Sequence, residues 1–224
     1  MSNETIISGR GLCRHYRRGS ETVKALDGVD IDIRAGESVC VLGASGSGKT
    51  TLINLLSALD APTAGTLTID GKCVDGLPEH ELVNIRRGTL GYVFQKFHLI
   101  PTLTVAENVA LPLLFLGERA DTGELARTLD AVGLTDRATH LPKELSGGQM
   151  QRVAIGRALV TRPRVLIADE PTGNLDRQTG DTVFELFLRA VREDGVALVL
   201  TTHNLALASR CNRTVTLEDG KVVR

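Results

Sequence analysis

The pattern of apolar and polar residues predicts an antiparallel sheet near the beginning of the chain. Residues 6–16 and 23–33 read as strands, and across positions 29–33 an apolar residue alternates with an aspartate. This period of two is typical of strands with one buried and one exposed face. Residues 66–74 follow as a hairpin with an Asp-Gly turn. We therefore predict an N-terminal antiparallel β subdomain.

Other strands are apolar along almost their whole length, at residues 39–42, 90–94, 164–168 and 196–201. Strands of this kind are typical of a parallel sheet that is covered on both faces. Apolar residues recur at helical spacing after the first of these strands and before the last. This alternation predicts an α/β fold with a mainly parallel sheet. A last hairpin is expected at residues 213–224.

The middle of the chain is helical in pattern. From about residue 97 to 141 no strand pattern is strong, and residues 106–116 and 124–132 are the best helical stretches. We predict an inserted α-helical subdomain at about residues 96–159. The whole chain, 1–224, is then a single domain whose core comprises residues 1–95 and 160–224.

Composition and charge exclude several classes of function. A net charge of −1 gives no electrostatic reason to expect nucleic acid or anionic lipid as a partner. The four cysteines are scattered without a C-x-x-C pair, which fits a reduced cytosolic protein better than a disulfide framework or a zinc site. We expect no signal peptide in the first ten residues. The longest apolar run, residues 109–116, is far shorter than the ~20 residues that span a bilayer.

One stretch carries a specific phosphate-binding motif. It fits G-x-x-x-x-G-K-[ST] and lies between an apolar strand and a helix, as the motif requires. Successive backbone amides of such a loop surround phosphate oxygens, and the helix N-terminus adds a positive dipole end. The lysine reaches the β- and γ-phosphates, and the hydroxyl binds Mg²⁺. We predict that a nucleoside triphosphate binds to Gly43, Ala44, Ser45, Gly46, Ser47, Gly48, Lys49, Thr50 and Thr51.

Two acidic residues, Asp169 and Glu170, follow the apolar strand at 164–168. Ligands of parallel sheets bind beyond the carboxyl ends of the strands, so both are expected beside the phosphate loop. We assign Asp169 to Mg²⁺ and Glu170 to polarising the attacking water. The alternative is an acidic strand end that caps the next helix. His203 is expected at the same edge, although a lone histidine is usually structural.

Two other features leave alternatives open. Leu145-Ser-Gly-Gly-Gln149 opens a helix, with Ser146 as N-cap and two glycines that leave bare amides at a positive helix end. This is either a second anion site or an ordinary capped helix. Tyr16 lies before a polar loop and either stacks on a nucleotide base or is a plain strand aromatic.

In their order along nearly the whole chain, these motifs resemble ABC-transporter ATPase subunits, which have a P-loop NTPase core. The Leu-Ser-Gly-Gly-Gln element is specific to that superfamily. Tyr92-Val-Phe-Gln95 and Gly173-Asn-Leu-Asp176 complete the series. Two residues depart from the family pattern: Asn204 stands where aspartate is usual, and Gly156 where alanine is usual. A helical glycine costs up to about 1 kcal/mol.

The resemblance implies roles for individual residues. Tyr16 resembles the adenine-stacking aromatic, and Gln95 the glutamine that senses Mg²⁺ and water. Asp176 resembles the loop that couples two sites, and His203 the histidine on the γ-phosphate. A signature loop contacts ATP bound to the other subunit; it is formed by Ser146, Gly147, Gly148 and Gln149. The implied catalytic groups are Glu170, His203, Lys49 and Gln95, with Thr50, Gln95 and Asp169 at the metal.

Within this family, residues 41–49, 103–109 and 168–176 resemble the bacterial lipoprotein-release and macrolide-efflux group. The resemblance implies an ATP-bound homodimer whose hydrolysis drives an integral-membrane permease with a large extracytoplasmic domain. The chain would be cytoplasmic and peripheral on the inner membrane through that permease, without nucleic acid and without inserting into the membrane itself. The alternatives are the ATPase of a solute importer, a soluble non-transport ABC ATPase, and a regulatory module that binds nucleotide without hydrolysis.

Apolar residues are unusually dense between positions 95 and 116, beyond what one amphipathic stripe supplies. Most of them are expected inside the helical subdomain. We also expect the loop at 97–103, with parts of 109–116, to receive a short cytoplasmic helix of the permease.

Overall fold

The structure is a computed structural model that describes residues 4–19, 21–117 and 122–223. Arg224, the end of the predicted last hairpin, lies outside the described residues. No helix within these ranges is both long enough and apolar enough to cross a bilayer.

The predicted antiparallel β subdomain is a four-stranded sheet in the order β2-β1-β4-β5. All three pairings are antiparallel, and the long pair β1 and β2 contains register shifts between residues 5 and 15 of β1. The prediction of this layer is confirmed. Its strands are β1 (Thr5–Arg18), β2 (Glu21–Arg34), β4 (Ala64–Ile69) and β5 (Lys72–Cys73).

The second sheet has six strands in the order β10-β9-β3-β8-β7-β6. Its neighbours are parallel except for the terminal pair β9 and β10, so the predicted mainly parallel sheet is confirmed. The sequence predicted only a hairpin at the C-terminal end, whereas β9 also joins the sheet beside β3. The strands are β3 (Ser38–Leu42), β6 (Leu90–Val93), β7 (Val165–Ala168), β8 (Ala197–Thr201), β9 (Arg213–Glu218) and β10 (Lys221–Val222).

Helices cover both faces of this sheet and make up most of the middle of the chain. Leu59 lies beyond the end of the first helix and is 49% exposed. The short last helix was not predicted. The helices are α1 (Lys49–Leu56), α2 (Glu79–Thr89), α3 (Val105–Phe115), α4 (Thr122–Ala131), α5 (Gly147–Leu159), α6 (Arg177–Asp194) and α7 (Leu205–Ala208).

Two hydrophobic clusters lie on opposite faces of the parallel sheet. Val39 and Val41 of β3 belong to a cluster with α1 and the antiparallel sheet. Cys40, between them, belongs to a cluster with α3, α5 and α6. Both faces of β3 are therefore buried, which explains why its sequence is apolar without alternation. Division of the chain at residues 96 and 159 stays a prediction.

The loop that follows β6 is fixed by a buried amide. Asn108 of α3 is fully buried and accepts from the Ile100 N–H at 2.8 Å. Its own Nδ2 donates to the carbonyls of Ile100, Leu103 and Thr104 at 2.9–3.1 Å.

The helices α3 and α5 are close together at Gly156, where a Cβ would lie 3.3 Å from Val109 Cγ2. The glycine therefore permits close packing of α5 on α3.

Candidate active site

The phosphate loop joins β3 to α1, and two of its glycines have no room for a side chain. A Cβ at Gly43 would lie 2.3 Å from Ser47 Oγ and 2.5 Å from the Leu217 carbonyl oxygen. A Cβ at Gly48 would lie 2.4 Å from the Ala25 carbonyl oxygen, and its φ is +104°. Only glycine fits such close backbone contacts without displacing them. The loop is therefore packed between the two sheets.

Lys49 lies on the first turn of α1 and is 7% exposed. Its Nζ donates to the carbonyl oxygens of Gly43 and Ala44 at 2.8 and 2.9 Å. An ammonium group has three donors, of which these contacts use two. The side chain is thus folded over the loop, whose outer residues Ala44, Ser45 and Gly46 are exposed.

Asp169 follows β7 and reaches the first turn of α1. Its Oδ2 accepts from Thr50 Oγ1 at 3.2 Å, and its Oδ1 accepts from Thr201 Oγ1 at 2.7 Å. A hydroxyl and a carboxylate are hard oxygen donors of the kind that Mg²⁺ prefers. The pair Thr50 and Asp169 therefore fits a magnesium ion.

Glu170 has a left-handed backbone with φ of +44°, which is uncommon for a residue other than glycine. Its N–H donates to Thr201 Oγ1 at 2.8 Å, and its Oε1 contacts His203 Nε2. The structure thus brings Glu170 and His203 together at the sheet edge that carries Asp169. A backbone of this kind costs about 1–3 kcal/mol and points to a constraint on where the carboxylate lies.

Thr201 is a site residue that the sequence analysis missed. It ends β8, is fully buried, and its one hydroxyl both donates to Asp169 and accepts from Glu170. The only sequence indication is a hydroxyl residue at the end of an otherwise apolar strand.

Gln95 follows β6 and lies beside the acidic residues. A Cβ at Gly173 would lie 3.2 Å from Gln95 Nε2 and 3.6 Å from Glu170 Oε2, so both side chains approach this glycine. Asn174 Nδ2 also donates to the Gln95 carbonyl at 3.2 Å. Among the described hydrogen bonds, none joins the Gln95 side chain to Thr50 or Asp169.

A second missed residue, Arg157, ties this loop to α5. Its guanidinium donates to the carbonyls of Phe97 and His98 at 2.8 and 2.7 Å. Burial lowers the pKa of Arg157 from its ordinary value. The segment after Gln95 is therefore connected directly to the helix that begins at the predicted signature loop.

That loop caps α5 as a reciprocal pair. The Gln149 N–H donates to Ser146 Oγ at 3.3 Å, and the Ser146 N–H donates to Gln149 Oε1 at 2.8 Å. A Cβ at Gly148 would lie 2.2 Å from Thr179 Cγ2 on α6, whereas one at Gly147 would come no closer than 3.6 Å to its nearest neighbour. Within the described ranges, no hydrogen bond or ion pair joins residues 146–149 to the phosphate loop of the same chain.

A sequence model described as "ABC transporter" matches residues 26–173, about two thirds of the chain. The chain belongs to the ABC transporter family. The lipoprotein-releasing system ATP-binding protein LolD of Geobacter metallireducens is 48% identical over 221 residues, covering 98% of each chain. The macrolide export ATP-binding/permease protein MacB of Brucella melitensis is 44% identical over all of this chain. The chain spans about a third (35%) of the length of that relative.

The fold agrees with this assignment. The dimeric structure of a post-hydrolysis state of the ATP-binding cassette MJ0796 bound to ADP and Pi matches with a TM-score of 0.89. The two chains are 41% identical, and the match covers 97% of each. The predicted α/β fold of an ABC cassette is confirmed.

The resemblance assigns roles to Asp176 and Tyr16, and both residues have hydrogen-bond partners within the chain. Asp176 is the N-cap of α6 and accepts from the Thr179 N–H at 3.0 Å. Hydrogen bonds from the Thr179 side chain and backbone lower the pKa of Asp176. Thr179 therefore contacts both Asp176 and the glycine-rich start of α5.

Tyr16 lies on β1 and is 38% exposed. Its hydroxyl donates to Asp60 Oδ2 at 2.9 Å, and the Arg14 guanidinium lies 4.8 Å from the ring centroid. The hydroxyl contact supports the alternative of a structural strand aromatic, while the exposed ring is compatible with stacking on a base. Its role in the ABC cassette stays a prediction.

Proposed function

We propose that this chain is the ATP-hydrolysing subunit of a bacterial ABC transporter. The observation that carries the proposal is the meeting of Lys49, Thr50, Asp169, Glu170 and His203 around one edge of the parallel sheet. Lys49 and the loop amides would bind the phosphates of ATP, and Thr50 and Asp169 would hold Mg²⁺. The metal, when bound, neutralises charge on the phosphate oxygens.

Side chains of the protein act on the attacking water and on the transferring phosphoryl group. Glu170 accepts the proton of the attacking water, and its contact with His203 places that carboxylate at the end of β8. His203 and Lys49 stabilise charge on the transferring phosphoryl group, so catalysis is mostly electrostatic. Gln95 lies close to Glu170 through Gly173 and transmits occupancy of the site to the helical region.

ATP binding joins two copies of the chain. The amides at the start of α5 form a positive helix end, yet they have no described contact with the phosphate loop of their own chain. In the proposal they bind the γ-phosphate held by a second copy, and hydrolysis releases the pair. The similar MJ0796 cassette, whose structure bound to ADP and Pi is dimeric, supports this arrangement.

The partner is an integral-membrane permease of the lipoprotein-release or macrolide-efflux type, with a large extracytoplasmic domain. The chain lies on the cytoplasmic face of the inner membrane through that permease. The names of the LolD and MacB relatives support this choice, since MacB carries its permease on the same chain. The output is export, extraction of a substrate from the membrane, or transmission of force.

The permease docks in an apolar groove of about 430 Å³ between α2, β6 and α3. Leu111, Pro112 and the half-exposed Phe115 line it, together with Phe94. This differs in part from the sequence prediction, because Phe97 is half-buried against the start of α5 and does not line the groove. A short helix with an apolar face fits a groove of this size and lining.

Phosphate release from Mg-ATP by the purified chain tests the hydrolysis. We expect steady release by the wild type and near-complete loss in Glu170→Gln, because glutamine keeps the shape and cannot accept the proton. Glu218→Gln, at an exposed position on β9, is the matched control and should retain the activity. Equal rates in the two variants would contradict the assignment of Glu170.

A further inference from the structure

Three side chains of the antiparallel sheet converge at a place that the proposed reaction does not use. They are Cys13 and His15 of β1 and Asp27 of β2, and their ligand atoms all lie within 4.8 Å of one another. No other group of three or more Cys, His, Asp and Glu side chains comes this close within the described ranges. All three residues are half-buried.

The backbone explains why they meet. Cys13 and His15 are only two residues apart on β1, so they are neighbours along the strand. The pairing of β1 with β2 shifts register on both sides of Arg14, and bulges of this kind twist a strand locally and redirect its side chains. Asp27 is fixed on the neighbouring strand by its N–H, which donates to the Gly220 carbonyl at 2.9 Å.

A thiolate, an imidazole nitrogen and a carboxylate oxygen are the three ligand types that Zn²⁺ takes in proteins. His15 Nε2 and Asp27 Oδ1 are 4.0 Å apart. Zinc bonds of about 2.0–2.3 Å in a tetrahedron place ligand atoms about 3.3–3.8 Å apart, so movements of about 1 Å or less would close the site. Such movements are within the reach of half-exposed side chains.

The imidazole provides an independent indication of a ligand. His15 Nε2 is shielded from solvent and has no hydrogen-bond partner in the structure. A buried polar atom without a hydrogen-bond partner lowers the stability of the fold by about 1–3 kcal/mol, and a bond to a metal would remove this penalty.

The surrounding charges are compatible with a divalent cation. Lys24 and Lys221 place their ammonium groups 3.5 and 3.6 Å from Asp27 Oδ2, which leaves Oδ1 directed at His15. Zn²⁺ bound by one thiolate and one carboxylate carries no net charge at the site. The two lysines then face a neutral centre in place of the Asp27 carboxylate alone, so metal binding weakens their attraction to the site without adding net repulsion.

We propose that Cys13, His15 and Asp27 bind a divalent cation of the zinc class, with water as the fourth ligand. The site lies next to the phosphate loop, because Gly220, which bonds to Asp27, also donates its N–H to the Ser47 carbonyl at 3.1 Å. A metal here would link β1 to β2 where these strands lie next to the phosphate loop. The scattered cysteines gave no zinc motif in the sequence because the ligands come from two strands and only one is a cysteine.

Titration of the metal-free full chain with Co²⁺ tests the proposal, because Co²⁺ reports zinc-type sites in its absorption spectrum. We expect one Co²⁺ per chain, a thiolate-to-cobalt charge-transfer band, and displacement of that band by Zn²⁺. A wild-type spectrum without a thiolate band would overturn the proposal, and this result does not depend on any variant.

Variants then assign the ligands. Cys13→Ser should abolish the band, and His15→Gln should weaken Zn²⁺ binding by more than the roughly 10–100-fold that loss of an outer-shell partner typically gives. Cys73→Ser is the matched control, since Cys73 is exposed on the same sheet and outside the cluster. Unfolding temperatures measured without metal establish that each variant is folded. Unchanged Zn²⁺ affinity in folded Cys13→Ser and His15→Gln would refute the site.

Discussion

One buried hydroxyl group connects the two acidic residues that follow β7. Thr201 donates to Asp169 and accepts from the Glu170 N–H, so its loss would leave two polar atoms without this partner. The same contact helps to hold Glu170 in its left-handed backbone. At this scale the site depends on a residue that touches neither nucleotide nor metal in the proposed reaction.

We expect Thr201→Val to lower the rate of phosphate release by about tenfold, equivalent to ~1.4 kcal/mol in the barrier. The physical reason is that Asp169 and Glu170 become less well positioned while the valine keeps the volume. The free energy of unfolding should fall by about 1–3 kcal/mol, which is the typical cost of a buried polar group without its hydrogen-bond partner. Thr201→Ser keeps the hydroxyl and should retain most of the activity. Equal rates in the two variants would mean that the hydroxyl does not position the acids.

Some of the candidate site could be predicted from the sequence because its residues occur in contiguous motifs. Gly43 to Thr50 is one such motif, and Asp169 and Glu170 directly follow an apolar strand. Thr201 and Arg157 were missed because each acts through contacts with residues more than 30 positions away, which no local pattern encodes.

At the scale of elements, α5 and α6 meet at Gly148. A Cβ there would lie 2.2 Å from Thr179 Cγ2, and Thr179 in turn bonds to the N-cap of α6, Asp176. Packing between these two helices therefore determines where the start of α5 is presented to a second copy.

Alanine substitution should separate the two neighbouring glycines of this loop. We expect Gly148→Ala to destabilise the fold by about 1–3 kcal/mol, because the added methyl group forces α5 away from α6. Gly147→Ala has room for its methyl group and should cost much less. Chemical denaturation of the two variants measures both values. A Gly148→Ala variant as stable as Gly147→Ala would contradict the packing described.

The groove beside α3 is a second element-scale feature with a testable role. We expect Phe115→Glu to abolish assembly with the permease, because a charge would replace an exposed apolar ring at the groove. ATP binding by the isolated chain should survive. Leu205→Glu, at another exposed apolar residue, is the control. Copurification with the permease measures assembly, and full assembly of Phe115→Glu would place docking elsewhere. Ile100→Glu should abolish assembly as well, because Ile100 lies in the loop at 97–103 where the sequence predicts docking and is 37% exposed.

The sequence predicts whether a segment is a strand or a helix more readily than it predicts which strands pair with each other. β7 and β8 are buried on both faces, and this burial leaves a continuous apolar run that a sequence displays. The pairing of β9 with β3 was not predicted, because a hairpin pattern contains no information about a parallel neighbour far away in the chain. The four residues of α7 are too few for a helical period to emerge.

At the scale of the whole molecule, one chain contains two loops to which we assign phosphate binding, and no described contact joins them. The phosphate loop lies between the sheets, and the loop at 146–149 caps α5, which Arg157 connects to the segment after Gln95. In the proposed dimer, a second copy of the chain brings the two elements together. ATP then forms part of the dimer interface, and its hydrolysis removes contacts that hold the two copies together.

The most direct test of this central claim is the oligomeric state of Glu170→Gln in the presence of Mg-ATP. Because this variant should bind ATP without hydrolysing it, size-exclusion chromatography should show a dimer that contains nucleotide and dissociates when ATP is withdrawn. Lys49→Ala, which loses the ammonium group over the phosphate loop, should stay monomeric under the same conditions. A Glu170→Gln variant that binds ATP and elutes as a monomer at every protein concentration would contradict the shared site.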